Sequence, residues 1–294
     1  MAVAPQVVAI PLYLGLMALE LVEVRRERRD AERSGTTPEM LGYTGKDTAT
    51  SLTMGIGSLV WGALFAGVTL AVDLFFYDRR LLDLGSYADG SAGIAAAVAA
   101  WALLVLLDDL CYYWFHRVHH ESRFFWAAHV THHSSQRYNL STALRQSWIP
   151  LTSIPFYLPI FLLGFSPVQW AFVHGLNLVY QFWIHTEAID RLPRPIELVF
   201  NTPRHHRVHH GSNPQYLDKN YAGILIVWDR LFGTFEPEVE RVRYGLTKNI
   251  DSYNPIWVAY HEVVAITRDV ARAGSWRERW RLTFGRPGWA PDQA

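Results

Sequence analysis

Five apolar runs constrain this chain more than any other feature: residues 7–22, 51–77, 92–115, 148–165 and 168–185. About 20 helical residues cross a hydrocarbon layer. Inside lipid, each backbone amide needs a partner within its own segment, which leaves helices or closed barrels. These runs are continuous rather than alternating, so they read as helices. The competing reading, buried helices of a water-soluble protein, asks 294 residues to enclose five such runs, more than a chain of that length buries. The expectation is an all-α fold of about 4–5 transmembrane helices.

Charge orients the spans. The first run is followed by "RRERR" at 25–29, whereas a signal peptide carries its charge before the apolar stretch, so an uncleaved span is expected. With that basic loop in the cytoplasm, only Arg79 and Arg80 of the 27 Lys and Arg residues fall outside. The ends of the third and fifth spans, near His116 and His185, then lie on the cytosolic face. The last two spans meet at a Gly-Phe-Ser-Pro turn, 164–167. Residues 1–90 are read as N-terminal spans and a linker, 91–250 as the catalytic domain, and 251–294 as an amphipathic helical tail. That tail either lies along the membrane surface or packs on the domain.

Composition excludes several functions. A formal net charge of zero offers no field for nucleic acid. The single cysteine, Cys111, allows neither a disulfide framework nor a thiolate metal site. Histidine is the residue that stands out: twelve of the 13 lie between His116 and His210. The pentapeptide "HRVHH" occurs at 116–120 and again at 206–210.

On a helix, residues three and four apart share a face. His116 and His120 lie one turn apart. "HVTHH" carries His129, His132 and His133, which can aim at one point, and His206, His209 and His210 repeat that spacing. A lone histidine is best read as an ordinary polar residue. Three clusters of them, with His185 and His205 nearby, read as a metal centre. Nine or ten rings exceed one tetrahedral zinc and suit two metals with open positions. A site at the cytosolic ends of spans can take a lipid whose chain descends between helices, with Trp148, Phe156, Trp170, Phe172 and Trp183 as candidate walls. A transporter would hold its ligands in mid-membrane, and a zinc hydrolase needs about three protein ligands.

The order H-x3-H, H-x2-HH, isolated His, H-x2-HH, interleaved with apolar runs, resembles the fatty acid hydroxylase and sterol desaturase superfamily of integral membrane di-iron enzymes. The stretches "THHSSQRYNLSTALRQS", "YQFWIHTE", "NTPRHHRVHHG" and "DKNYAGILIVWDRLFGTFE" are similar to its alkylglycerol monooxygenase branch. The resemblance implies His116, His120, His129, His132, His133, His185, His206, His209 and His210 as ligands, with His205 a tenth. His119 is then a spare ring and His174 a wall of the lipid pocket. Glu121 and Glu187, each beside a ligand box, are candidates to orient a ring or contact a cofactor. The resemblance further implies two irons, for which zinc can substitute in a purified sample, with O2 as co-substrate. Electrons would come from a donor protein or a reduced pterin such as tetrahydrobiopterin. The implied activity is hydroxylation of a membrane lipid, either beside an ether oxygen or, as the alternative, on a sterol, carotenoid or fatty acid, where desaturation is also within the superfamily's chemistry.

Overall fold

A computed structural model of the protein describes residues 5–290. Its principal helices are α1 (Ile10–Ser34), α2 (Gly45–Tyr77), α3 (Ile94–Glu121), α4 (Arg123–His133), α5 (Ile154–Leu162), α6 (Pro167–Trp183), α7 (Pro203–His209), α8 (Pro255–Arg272) and α9 (Trp276–Phe284). Among the described residues there is no strand; one isolated bridge joins Gly211 and Tyr244.

Among the described residues two helices, α2 and α3, are long and apolar enough to cross a membrane. In the most apolar 18-residue window of α2 only 6% is buried, so the protein itself leaves that surface uncovered. The third run is one unbroken helix. Asp108 and Asp109, two charges within it, are fully buried on its inner face and satisfied by hydrogen bonds. Asp108 accepts from Trp170 Nε1 (3.1 Å) and Asn177 Nδ2 (2.9 Å) and faces His174 Nδ1 at 3.1 Å.

The fourth run departs from its expected length. A 3-10 turn at Pro150–Ser153 precedes α5, which has 9 residues and contains Pro159. Each proline removes an amide donor and crowds the preceding turn, so a rod over 148–165 is not available. Gly164 (φ 91°) then makes a tight reversal, because a Cβ there would lie 2.2 Å from Leu82 O. Ser166 and Gln169 form a capping box that starts α6, which has 17 residues. The α5–α6 hairpin packs on α3 through Leu104, Tyr157, Ile160, Phe165 and Val173. Where lipid surrounds such a contact, shape rather than water exclusion drives it.

Polar ties fix the remaining elements around the end of α3. Buried Arg145 reaches Asp47 in the first turn of α2 (3.0 Å) and Ser134 just beyond α4 (3.0 Å). Glu20 of α1, also buried, accepts from Tyr43, Thr186 and the Leu140 amide. Arg123, opening α4, binds Glu262 and Asp269 of α8, and its amide donates to Gly285 O just after α9 (2.9 Å).

Candidate metal centre

Four elements deliver the histidines to one place. The last turns of α3 carry His116, His119 and His120, α4 carries His129, His132 and His133, His185 follows α6, and α7 with the residue after it carries His205, His206, His209 and His210. Nine of these rings form two groups. His116, His120, His129, His133 and His209 make one; His132, His185, His206 and His210 make the other. Within each group the nearest nitrogens all lie within 4.8 Å of one another.

The H-x2-HH boxes therefore do not each aim at one point, as expected from spacing. His129 and His133 go to the first group and His132 to the second; His206 and His210 go to the second and His209 to the first. Successive helical residues point about 100° apart, so adjacent rings diverge and the two boxes are shared between the groups. His133 and His210 stack across the junction, ring centroids 4.4 Å apart.

Nitrogen separations fit a metal in each group. Nε2 of His116 lies 2.9 Å from that of His129, and Nε2 of His133 lies 3.2 Å from His129 and 3.1 Å from His209. In the second group His185 Nε2 lies 3.1 Å from His132 and 2.9 Å from His206. Two ligands about 2.1 Å from a metal and at right angles to each other are about 3 Å apart. Buried nitrogens without any partner, Nε2 of His120 and Nε2 of His210, complete the same picture.

Metal ligation needs neutral rings, and the surroundings keep them so. Burial, then the neighbouring rings, pushes His129, His133, His206 and His210 well below the usual imidazole value. Burial lowers His132 to about 4 and His209 to about 3. Backbone carbonyls set the tautomer. His116 Nδ1 donates to Tyr221 O (2.7 Å), His185 Nδ1 to Gln181 O (2.7 Å) and His209 Nδ1 to Lys219 O (3.0 Å). A carbonyl only accepts, so each Nδ1 carries the proton and each Nε2 keeps its lone pair.

Two of those three carbonyls belong to the segment 218–236, and carboxylates hold it in place. Asp229 accepts from the amides of Tyr221 and Ala222 (both 2.8 Å). Asp109, from α3, accepts from the amides of Ile224 (2.7 Å) and Leu225 (2.9 Å) and from Trp228 Nε1 (2.9 Å). Asn220 (φ 55°) donates to His205 O and Glu236 O. Asp109, Asn220 and Asp229 support the site without any spacing in the sequence that singles them out. The one available signal was the length of the motif containing the last two.

Other expected residues lie elsewhere. His205 belongs to neither group: its Nδ1 is 3.4 Å from Thr202 Oγ1 and its ring meets Phe235 edge-on. His119 is also outside both, with Nδ1 donating to Phe115 O (2.7 Å) and Nε2 facing Thr152 Oγ1 (3.1 Å). Glu121 pairs with Arg117 (3.0 Å), and Glu187 accepts from the Leu41 amide (2.7 Å). Burial raises Glu187 to about 7. The ring-orienting contacts expected of these two carboxylates are made by the carbonyls named above.

A cavity of about 620 Å³ abuts the centre, reaching His119, His129, His132 and His185. His174 lines it, as expected. Its remaining walls come from α1, α2, α3, α4 and α6, from Tyr157 of α5 and from the segment joining α4 to α5, including Leu144 and Thr152, not from the aromatic set predicted. Phe156 and Trp170 instead fill the packing between α3 and the hairpin, Trp148 lies against Met54 and Tyr260, Phe172 is exposed, and Trp183 meets Tyr180 edge-on.

Residues 101–234 match the family model described as Fatty acid hydroxylase. The chain is 42% identical over 286 residues to an alkylglycerol monooxygenase of Homo sapiens, an overlap of 96% of this chain and 59% of that protein. It is 43% identical over 247 residues to one of Xenopus tropicalis, 83% of this chain and 53% of the relative. A cholesterol 25-hydroxylase-like protein of Danio rerio is 31% identical over 166 residues, 52% of this chain and 62% of that protein. The chain thus spans little more than half the length of the first two relatives. No solved structure matches it.

Proposed function

We propose, from the match of residues 101–234 to the Fatty acid hydroxylase family model, that the protein is an integral membrane di-iron monooxygenase acting on a lipid C–H bond. The observation that carries this reading is the pair of imidazole groups beside a largely apolar cavity. Nine neutral rings in groups of five and four suit two divalent irons with positions left for O2. Zinc suits imidazole too and would occupy the cage of a sample prepared without iron. His116, His120, His129, His133 and His209 would hold one ion, and His132, His185, His206 and His210 the other. His205, the sequence-based tenth candidate, has no place in either set.

When bound, two irons supply reductive activation of O2 and removal of hydrogen from an unactivated carbon. The chain does the rest. The carbonyls of Tyr221, Gln181 and Lys219 hold three rings with Nε2 free. Burial of the rings keeps bulk water from the centre. The cavity aligns an aliphatic chain so that one carbon lies beside the rings. Glu121 and Glu187 are carboxylates near the cage, available to a cofactor rather than to the rings.

The preferred substrate is an alkylglycerol, oxidised at the carbon next to the ether oxygen; the resulting hemiacetal separates into an aldehyde and glycerol. The relatives named alkylglycerol monooxygenase support this choice. Sterol, carotenoid or fatty-acid oxidation is the alternative. Electrons would come from a donor protein or from tetrahydrobiopterin. About 4–5 membrane segments are envisaged: α2 and α3 as full spans, with α1 and the α5–α6 hairpin completing the layer. The metal centre would lie on the cytosolic face within a catalytic domain of residues 91–250, preceded by residues 1–90 and followed by the tail 251–294. Incubating the iron-loaded protein under O2 and reductant with alkylglycerols, sterols and free fatty acids together tests this. Fatty aldehyde formed from the ether lipid is expected; a hydroxysterol alone would move the substrate to the alternative, and no oxidised lipid would refute the activity.

A further inference from the structure

The cavity beside the rings opens to the molecular surface between α1 and α2. Its outer wall includes Ile10 and Leu14 of α1 and Ile56 and Leu59 of α2. These side chains are also on the molecular surface: Leu14 is 56% exposed and Ile56 65%. A side chain that both lines a cavity and faces outward marks its opening. The opening is largely apolar, with Gln6 on one side and Ser58 on the other.

Its depth follows from helix geometry. Ile56 is eleven residues into α2, about 16 Å from the start of the helix. A helix of 33 residues is about 50 Å long and overshoots a hydrocarbon layer of about 30 Å by about 10 Å at each end. With α2 centred in that layer, Ile56 and Leu59 would fall within the hydrocarbon, on the helix whose apolar surface the protein leaves almost wholly uncovered. With α2 read as a full span, lipid chains rather than headgroups or water would abut the mouth.

We propose that the gap between α1 and α2 is a lateral portal through which the aliphatic chain of a membrane lipid slides from the bilayer directly to the metal centre. The inference rests on the lipid-oxidising reading of the site and adds the route to it. The path runs from Leu14 and Ile56 past Leu144 and Leu178 to His119, His129, His132 and His185. A polar reductant crossing this mouth would have to leave water for hydrocarbon, so electrons arrive by another face.

The test is photolabelling in lipid nanodiscs with an alkylglycerol carrying a diazirine near the end of its chain. Adducts are expected on inner-wall residues Leu144, Tyr157 and Leu178. The double variant Leu14→Trp/Ile56→Trp fills the mouth at exposed apolar positions. It should lose those inner adducts while keeping adducts on the outer face of α2 and a full metal complement. Leu64→Trp, exposed on α2 away from the cavity, should leave inner labelling unchanged. Inner adducts that persist in the double variant, or wild-type adducts confined to outer faces, would overturn the portal. Labelling needs no turnover, so an intact portal in an inactive protein would count against the oxidation alone.

Discussion

At the scale of single residues, the two copies of "HRVHH" have different jobs. In the second copy all three imidazoles join the metal groups, divided between them. In the first, His116 and His120 join one group while His119 turns to Phe115 O and Thr152. The sequence made the histidine-rich region visible because clustered imidazoles have few other uses. It did not reveal which ring serves which metal, since i, i+3 and i+4 spacing puts three rings on one face without saying where neighbouring elements meet them. His132→Ala should abolish turnover and remove the metal held by the group of four. His119→Ala and His205→Ala should each keep two metals per chain, as measured by elemental analysis. Equal loss of metal in all three variants would mean the rings have been wrongly sorted.

At the scale of elements, the apolar runs announced α2 and α3, and the basic residues after the first run announced the polar end of α1. The hairpin was less legible. Its hydropathy resembles a span, but Pro150, Pro155 and Pro159 divide it into short pieces. The supports of the site were less legible still, because a buried carboxylate looks like any other acid in sequence. Asp109 and Asp229 hold the segment whose carbonyls orient His116 and His209. Asp229→Asn should leave every ring in place yet weaken metal retention by about 10–100-fold, read by competition with a chelator. Unchanged retention would assign Asp229 to fold stability alone. Asp47→Ala strands buried Arg145 without its carboxylate, a loss of about 3–5 kcal/mol. Denaturant unfolding in detergent should register it as a lower midpoint; a midpoint within error of wild type would refute the tie.

At the scale of the whole molecule, packing the rings out of water makes stability depend on pH. Unfolded histidines take up protons near their usual value of about 6.5. His132 and His209 in the folded chain resist protonation down to about 4 and about 3. Between those limits the unfolded state binds more protons, so stability rises with pH. The metal-free protein should be at full stability above the usual imidazole value and lose it progressively as pH falls toward 4. Thermal midpoints that stay flat from pH 7.5 to 5 would contradict this. One chain should hold two metals in two adjoining imidazole groups. Counting transition-metal ions per chain in protein purified after iron-replete expression tests it most directly. Two ions per chain, iron or iron partly replaced by zinc, is the predicted result; a single tightly held ion would contradict it.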